Sequence, residues 1–121
     1  MVSACQRENV NTYAGKYKGT LTADVLVKND VGLIFRKGTD KKTLSLFDVD
    51  LIKTSENQFS ADVEIMLKIL HLIDADITEK MLSNASATFV FENNEVTMDM
   101  KYNLSKSVMQ DPIYVRYIGK K

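Results

Sequence analysis

Apolar and polar residues alternate with period two along much of this chain, and the alternation is cleanest over residues 85–104. Period two is the pleat of a half-buried β-strand, not the 3.6-residue turn of a helix. The arms Ala-Ser-Ala-Thr-Phe-Val-Phe and Val-Thr-Met-Asp-Met-Lys-Tyr-Asn-Leu flank Glu-Asn-Asn-Glu, which predicts a β-hairpin turning at Asn93 and Asn94. Asn tolerates the positive φ that two-residue hairpin turns require. Phe91 then faces Val96, Phe89 faces Met98 and Ala87 faces Met100, so both arms present their large apolar side chains on one side.

The remaining segments are read for whether they extend that sheet. Residues 13–28 predict a long strand with an early bend: Gly15 and Gly19 flank Tyr17, and Leu21, Ala23, Val25 and Val27 alternate with polar neighbours except at Leu26, which breaks the polar row. Glycine is common where a strand coils or another backbone comes close. Asn29-Asp30 is a turn signal, residues 32–36 a short strand, and residues 37–41 a polar turn. In residues 43–52, Leu44 and Leu46 share one parity while Phe47, Val49 and Leu51 share the other, which predicts a bulge near Phe47. Residues 53–58 read as an exposed connection.

Residues 59–77 carry two patterns. Odd positions from Ala61 to Ile77 form a nearly unbroken apolar row, which favours one bent strand or two strands, with acidic i, i+2 pairs facing outward. Val63, Met66, Leu67, Leu70 and Ile73 also fit a helix. A helical turn is expected at 78–84, with Asp76 and Glu79 as a capping box. After a polar loop, Pro112 precedes a last strand over 113–118, where no ladder donor is lost.

Seven or eight short strands with turns about every 8 to 12 residues predict an all-β fold: an antiparallel up-and-down barrel of about eight strands. Closure removes exposed edges, which favours the barrel. A β-sandwich, or an α+β fold with one helix around residues 61–73, is the alternative. At 121 residues the chain is expected to form one domain, over residues 11–121, behind a flexible tether at 1–10. No apolar run approaches the roughly 20 residues of a spanning helix.

Composition adds one feature, the placement of charge. Lys and Arg balance Asp and Glu at 16 each, but unevenly. Residues 1–42 hold eight basic and four acidic side chains, 43–99 three and eleven, and 100–121 five and one. If the terminal strands are neighbours, as in a closed sheet, the molecule has one basic and one acidic flank; the plainer reading is a set of solvated outward positions. No dense Lys/Arg cluster suggests a nucleic-acid footprint.

The N-terminus carries a second signal. Val2-Ser3-Ala4-Cys5 matches the lipobox that precedes the modified cysteine of bacterial lipoproteins, with small residues at the two positions before the cysteine. Cys5 is the only cysteine, so it has no internal disulfide partner and no zinc-site companions. A lipid anchor at Cys5 is expected, with an inert thiol or a redox role as alternatives. Met1 is then expected to be a start that leaves out the charged and apolar regions of a secretory signal.

Tyr13-x-Gly15-x-Tyr17-x-Gly19-x-Leu21 soon after the lipobox cysteine, the alternating penultimate hairpin, and the terminal Pro112-Ile-Tyr-Val-Arg-Tyr-Ile-Gly119-Lys-Lys together resemble the small calycin-like, lipocalin-like β-barrel lipoproteins of bacterial envelopes. The resemblance implies a lipid-anchored barrel at the outer membrane or periplasmic face, and Cys5 is the only functional residue it supplies. The absence of tryptophan departs from the Gly-x-Trp signature of true lipocalins.

Candidate chemistry is sparse. His71 is the only histidine, and it reads as a hydrogen-bonded imidazole on an apolar strand face rather than a base. Asp48/Asp50, Asp62/Glu64 and Asp74/Asp76 each place two carboxylates on one strand face, where solvation is the plain reading and Ca²⁺ the sharper one. An EF-hand reading from Asp74 fails, because its sixth residue is Glu79 and its twelfth Ala85. The sequon-like Asn84-Ala85-Ser86 and Asn103-Leu104-Ser105 are matches in form only. No catalytic residue, metal or cofactor is expected, and no enzyme.

Two functions remain. A non-enzymatic, lipid-anchored binding or interaction module would have its barrel filled and meet another envelope protein from outside. A carrier would instead hold a small apolar ligand, with Phe89, Phe91, Met98, Met100 and Tyr102 lining its interior. An eight-stranded barrel is just wide enough for filling side chains or one small ligand. Seven large inward residues on the hairpin favour filling.

Overall fold

The structure is a computed structural model that describes residues 12–23, 26–38, 43–73, 77–104 and 112–121. Among the described residues, nine strands form one antiparallel sheet: β1 Gly15–Ala23, β2 Leu26–Lys37, β3 Leu44–Leu46, β4 Val49–Asp50, β5 Ile52–Ser55, β6 Gln58–Ser60, β7 Leu82–Glu92, β8 Glu95–Leu104 and β9 Ile113–Lys120. Their order across the sheet is β4-β3-β2-β1-β9-β8-β7-β6-β5. Only Leu51 separates the two edge strands in the chain, so the sheet curls into a nearly closed up-and-down barrel. Because β4 and β5 are the two halves of one bent strand, eight staves make the wall. Leu51 donates its N–H to the Leu44 carbonyl at 2.8 Å, continuing the β3–β4 ladder to the kink.

The predicted hairpin forms in the predicted register. Phe91 pairs with Val96, Phe89 with Met98 and Ala87 with Met100, and Asn93 and Asn94 take φ of 53° and 63°. Its inward row is buried, and the matching rows of β1, β2 and β9 add Tyr17, Leu21, Leu33, Phe35, Val115 and Tyr117.

The glycines of the N-terminal and C-terminal motifs face each other. Gly19 pairs with Gly119 where β1 meets β9, and a Cβ on Gly19 would collide with the Ile118 carbonyl, while one on Gly119 would collide with the Tyr117 ring. The clearance at Gly119 lets the Tyr117 ring lie over it, and its hydroxyl donates to the Val31 carbonyl at 2.8 Å. Tyr17 likewise donates to the Tyr13 carbonyl at 2.9 Å.

Several expectations are corrected. Residues 59–77 are not strand throughout: after Phe59 in β6, residues Val63–Leu72 form a helix, α1. Asp62 caps it, its carboxylate accepting from Ile65 N–H at 3.2 Å, with Glu64 in the first turn, where a negative charge favours the helix dipole. Ile65, Met66, Ile69 and Leu70 make one buried stripe, so the 3.6 period wins over the period-two row. The Asn29-Asp30 turn is a bulge inside β2, with Asp30 at φ 59°, and the expected strand over 13–28 is divided, since Ala23 at the end of β1 pairs with Leu26 at the start of β2. The parity switch at Phe47 is not a bulge but a two-residue turn with φ of 56° at Phe47 and 62° at Asp48. The connection expected at 53–58 is the β5–β6 hairpin. Residues Glu79–Met81 form a single 3-10 turn whose cap position is Thr78, without a side-chain cap bond. Asp76 lies outside the described residues.

Helix α1 crosses one end of the barrel. Its approach is tied to β7 by Ala61 N–H donating to the Ala87 carbonyl at 3.0 Å, and its end to β2 by Lys28 Nζ donating to the Leu72 carbonyl at 2.6 Å. Strands β7 and β2 stand opposite each other in the wall, and ten residues at 1.5 Å rise span about 15 Å. Between them, Lys68 lies over the Phe47 ring, 6.0 Å from its centroid.

The Phe91 ring meets four others at 5.1–5.8 Å. Phe91→Ala is expected to lower stability by about 3–5 kcal/mol in urea denaturation; a loss under 1 kcal/mol would contradict the central place of this ring.

Candidate functional site

The five residues expected to line the interior do point inward, and all are buried: Phe89, Phe91, Met98, Met100 and Tyr102 are at most 4% exposed. The sheet brings Phe89 and Phe91 into one aromatic cluster with Tyr13, Tyr17, Phe35 and Phe59. Phe35 meets Phe89 edge-on at 5.5 Å and Phe91 at 5.1 Å, and Phe59 meets Phe91 at 5.7 Å. These are the separations of packed aromatic rings. Met98 lies opposite Phe89, and Met100 opposite Ala87, where flexible thioethers fill the space left between rings and a small residue. Tyr102 lies farther along β8, opposite Ile113, near the end that α1 crosses.

Tyr13 occupies the other end. Its ring stacks on Phe91 at 5.1 Å with 23° between planes and meets Phe59 at 6.2 Å. Asn57 holds the neighbouring turn to the same strand end, donating from Nδ2 to the Phe91 carbonyl at 2.9 Å and accepting from Phe91 N–H at 3.0 Å. The interior residues are thus brought together as a packed core between α1 and Tyr13. Sequence reasoning missed Tyr13 as a closing group; its signal was an aromatic residue two positions before the strand-opening glycine.

Several depressions among the described residues lie on the outside or at the rim. One of about 430 Å³ crosses β7, β8 and β9 beside Thr88, Asp99, Lys101, Tyr114 and Arg116. Another of about 270 Å³ lies on β2 and β3 beside Gly32, Ile34, Arg36, Ser45 and Phe47. Across the first, Arg116 Nε and Asp99 Oδ1 are 3.0 Å apart and directly opposite in register, and both side chains are solvent-exposed. Such an exposed cross-strand pair contributes little to stability.

The other candidates are not brought into a site. His71 is exposed in the last turn of α1, not on an apolar strand face. Asp62 is the helix cap and Glu64 lies in the first turn, so they do not form a carboxylate pair on a strand. Asp48 lies in the β3–β4 turn and Asp50 on β4 opposite Ser45. Among the described residues, no group of three or more His, Cys, Asp or Glu is placed to hold a metal ion. Cys5, Asp74 and Asp76 lie outside them.

Comparison with known proteins finds no matching family model, no similar curated protein and no similar solved structure. The chemistry of the site therefore rests on the residues alone.

The buried phenols define one measurable property. Burial pushes the Tyr117 hydroxyl up to about 12 and raises those of Tyr17 and Tyr102. The unfolded chain loses these protons near the ordinary value of about 10, while the folded chain keeps them. Stability is therefore expected to hold below pH 9 and to fall between pH 10 and about 12. Tyr117→Phe should flatten that fall in urea titrations across the range; an unchanged slope would overturn the assignment to Tyr117.

Proposed function

We propose that this protein is a lipid-anchored envelope protein whose lipocalin-like barrel works from its outer surface, as a binding or interaction module and not as an enzyme. The observation that carries this reading is the packed interior. Aromatic rings from β1, β2, β6 and β7 meet inside the barrel, α1 lies across one end, and Tyr13 stacks into the other. A carrier of small apolar ligands needs a concave apolar site that encloses most of its ligand. Rings at 5.1–6.2 Å occupy that place here.

The anchor rests on Val2-Ser3-Ala4-Cys5 and on where the chain enters the barrel. Thr12 lies at the rim, its carbonyl accepting from Lys121 Nζ at 2.9 Å. From Cys5 to Thr12 a fully extended chain reaches about 25 Å at most. Several acyl chains on one cysteine would hold the barrel stably within that distance of a bilayer, since each buried methylene contributes about 0.8 kcal/mol.

Mass spectrometry of the membrane-extracted protein should find an acylated N-terminal Cys5, and Cys5→Ser should release the protein from the membrane fraction. An unmodified cysteine in a chain still beginning at Met1 would sink the anchor. Native mass spectrometry should find no apolar molecule retained inside the barrel; a stoichiometric co-purified lipid displaced by Phe91→Trp would instead favour the carrier.

A further inference from the structure

The terminal strands are neighbours: β1 pairs with β9 on one side and β2 on the other. The uneven charge of the sequence therefore becomes spatial. Strands β1, β2 and β9 with Lys121 carry eight basic side chains and one acidic one, Asp30. Residues 43–99 carry nine acidic and three basic side chains among the described residues.

Register concentrates the positive charge on the outward face. Lys18 stands directly opposite Lys120 across the β1–β9 ladder, an arrangement that destabilises a sheet in the absence of a counter-ion. Lys16 is opposite Ile34 one step along, and Arg36 follows on β2. The acidic groups bordering the patch are Asp30, 3.9 Å from Lys18 with both side chains exposed, Glu95 opposite Lys120 and Asp99 opposite Arg116 on β8, and, beyond Arg36, Asp48 and Asp50 at the β3–β4 edge. Between and beside the cations, Ile34 is 44% exposed and Ile118 42%, while Gly32 keeps the surface low. The chain enters the barrel at this flank, beside Lys121.

We propose that the outer face of β2, β1 and β9 docks on an anionic phospholipid surface through Lys16, Lys18, Arg36 and Lys120. Lysine and arginine attract lipid phosphates within a Debye length of the surface, and their methylene stems lie along the interface with the charge toward the headgroups. Ile34 and Ile118 add apolar contact at the same level. Docking deepens the anchored reading of Cys5, because the tether keeps the face within reach of the bilayer, but it depends on different residues.

The test uses the full chain with Cys5→Ser, which carries no acyl group, so its outcome is independent of whether Cys5 is lipidated. Co-sedimentation with vesicles of phosphatidylcholine containing about one third phosphatidylglycerol should show binding that pure phosphatidylcholine does not, lost at 0.5 M salt. Adding Lys16→Glu, Lys18→Glu and Lys120→Glu should weaken binding by at least about tenfold. The control Lys53→Glu, Lys68→Glu, Lys101→Glu makes the same change in net charge elsewhere and should leave it within about twofold. Circular dichroism verifies that both variants fold; if the face variant does not, Lys→Gln at the same three positions replaces it. Absence of binding by the parent, or equal loss in both variants, overturns the proposal. Polyglutamate that displaces the parent from vesicles at matched charge concentration also overturns it, by assigning the face to an acidic polypeptide.

Discussion

Four rings from widely separated parts of the chain meet Phe91: Tyr13, Tyr17, Phe35 and Phe59. The barrel depends on that meeting. None of these contacts is local to β7, so each one joins a segment whose own hairpin would be only marginally stable alone. Edge-to-face packing adds a directional preference to the area these rings bury, and that preference selects one register for each strand bearing a ring. A one-residue slip in β2 would turn Phe35 outward and leave Phe91 and Phe89 facing a gap. The aromatic centre therefore does for this fold what a disulfide framework does for smaller secreted domains.

Two further devices let the sheet close around that centre. At one seam Gly19 and Gly119 remove both side chains from the interior, and Tyr117 lies over Gly119 and donates to the Val31 carbonyl, spanning three strands with one residue. At the other, the chain turns from the β3 ladder to the β6 ladder within a single bent strand, at Leu51. The ends are then covered by groups of different kinds. Helix α1 lies over one with a buried stripe of Ile65, Met66, Ile69 and Leu70, and Lys28 meets the negative end of its dipole. Tyr13 closes the other as a single stacked ring.

What was legible in the sequence follows from how local each signal is. The β7–β8 hairpin was readable to the residue, because a two-residue Asn-Asn turn fixes the register of both arms and needs no other part of the chain. The final strand and the glycines near Tyr17 were readable for similar reasons. Helix α1 is masked in the sequence because Val63, Ile65, Leu67, Ile69 and His71 satisfy period two, while only four of its positions are buried. Asp62, three residues before Ile65, is the decisive cap, and its spacing from Glu64 equally fits an outward acidic pair on a strand. Phe47-Asp48 and Asn29-Asp30 failed for another reason. A bulky Phe at positive φ is held there by tertiary packing that sequence does not display, and a left-handed Asp serves a bulge as well as a turn. The interior role of Phe89, Phe91, Met98, Met100 and Tyr102 was legible from parity alone; whether they enclosed a cavity was not, because the rings that fill it come from β1, β2, β6 and Tyr13.

Period two divides the chain into two nearly independent patterns. Inward positions set the packing, and outward positions are free to carry whatever the surroundings of the protein select. Zero net charge means the molecule as a whole has no monopole to draw it to a charged surface. Basic side chains nevertheless predominate on the β2–β1–β9 flank and acidic ones elsewhere among the described residues, an unevenness that acts through orientation. Salt at physiological strength confines that effect to about 8 Å, so it operates only on a partner already close by. The topology that closes the barrel is the same pairing of β1 with β9 that creates this flank.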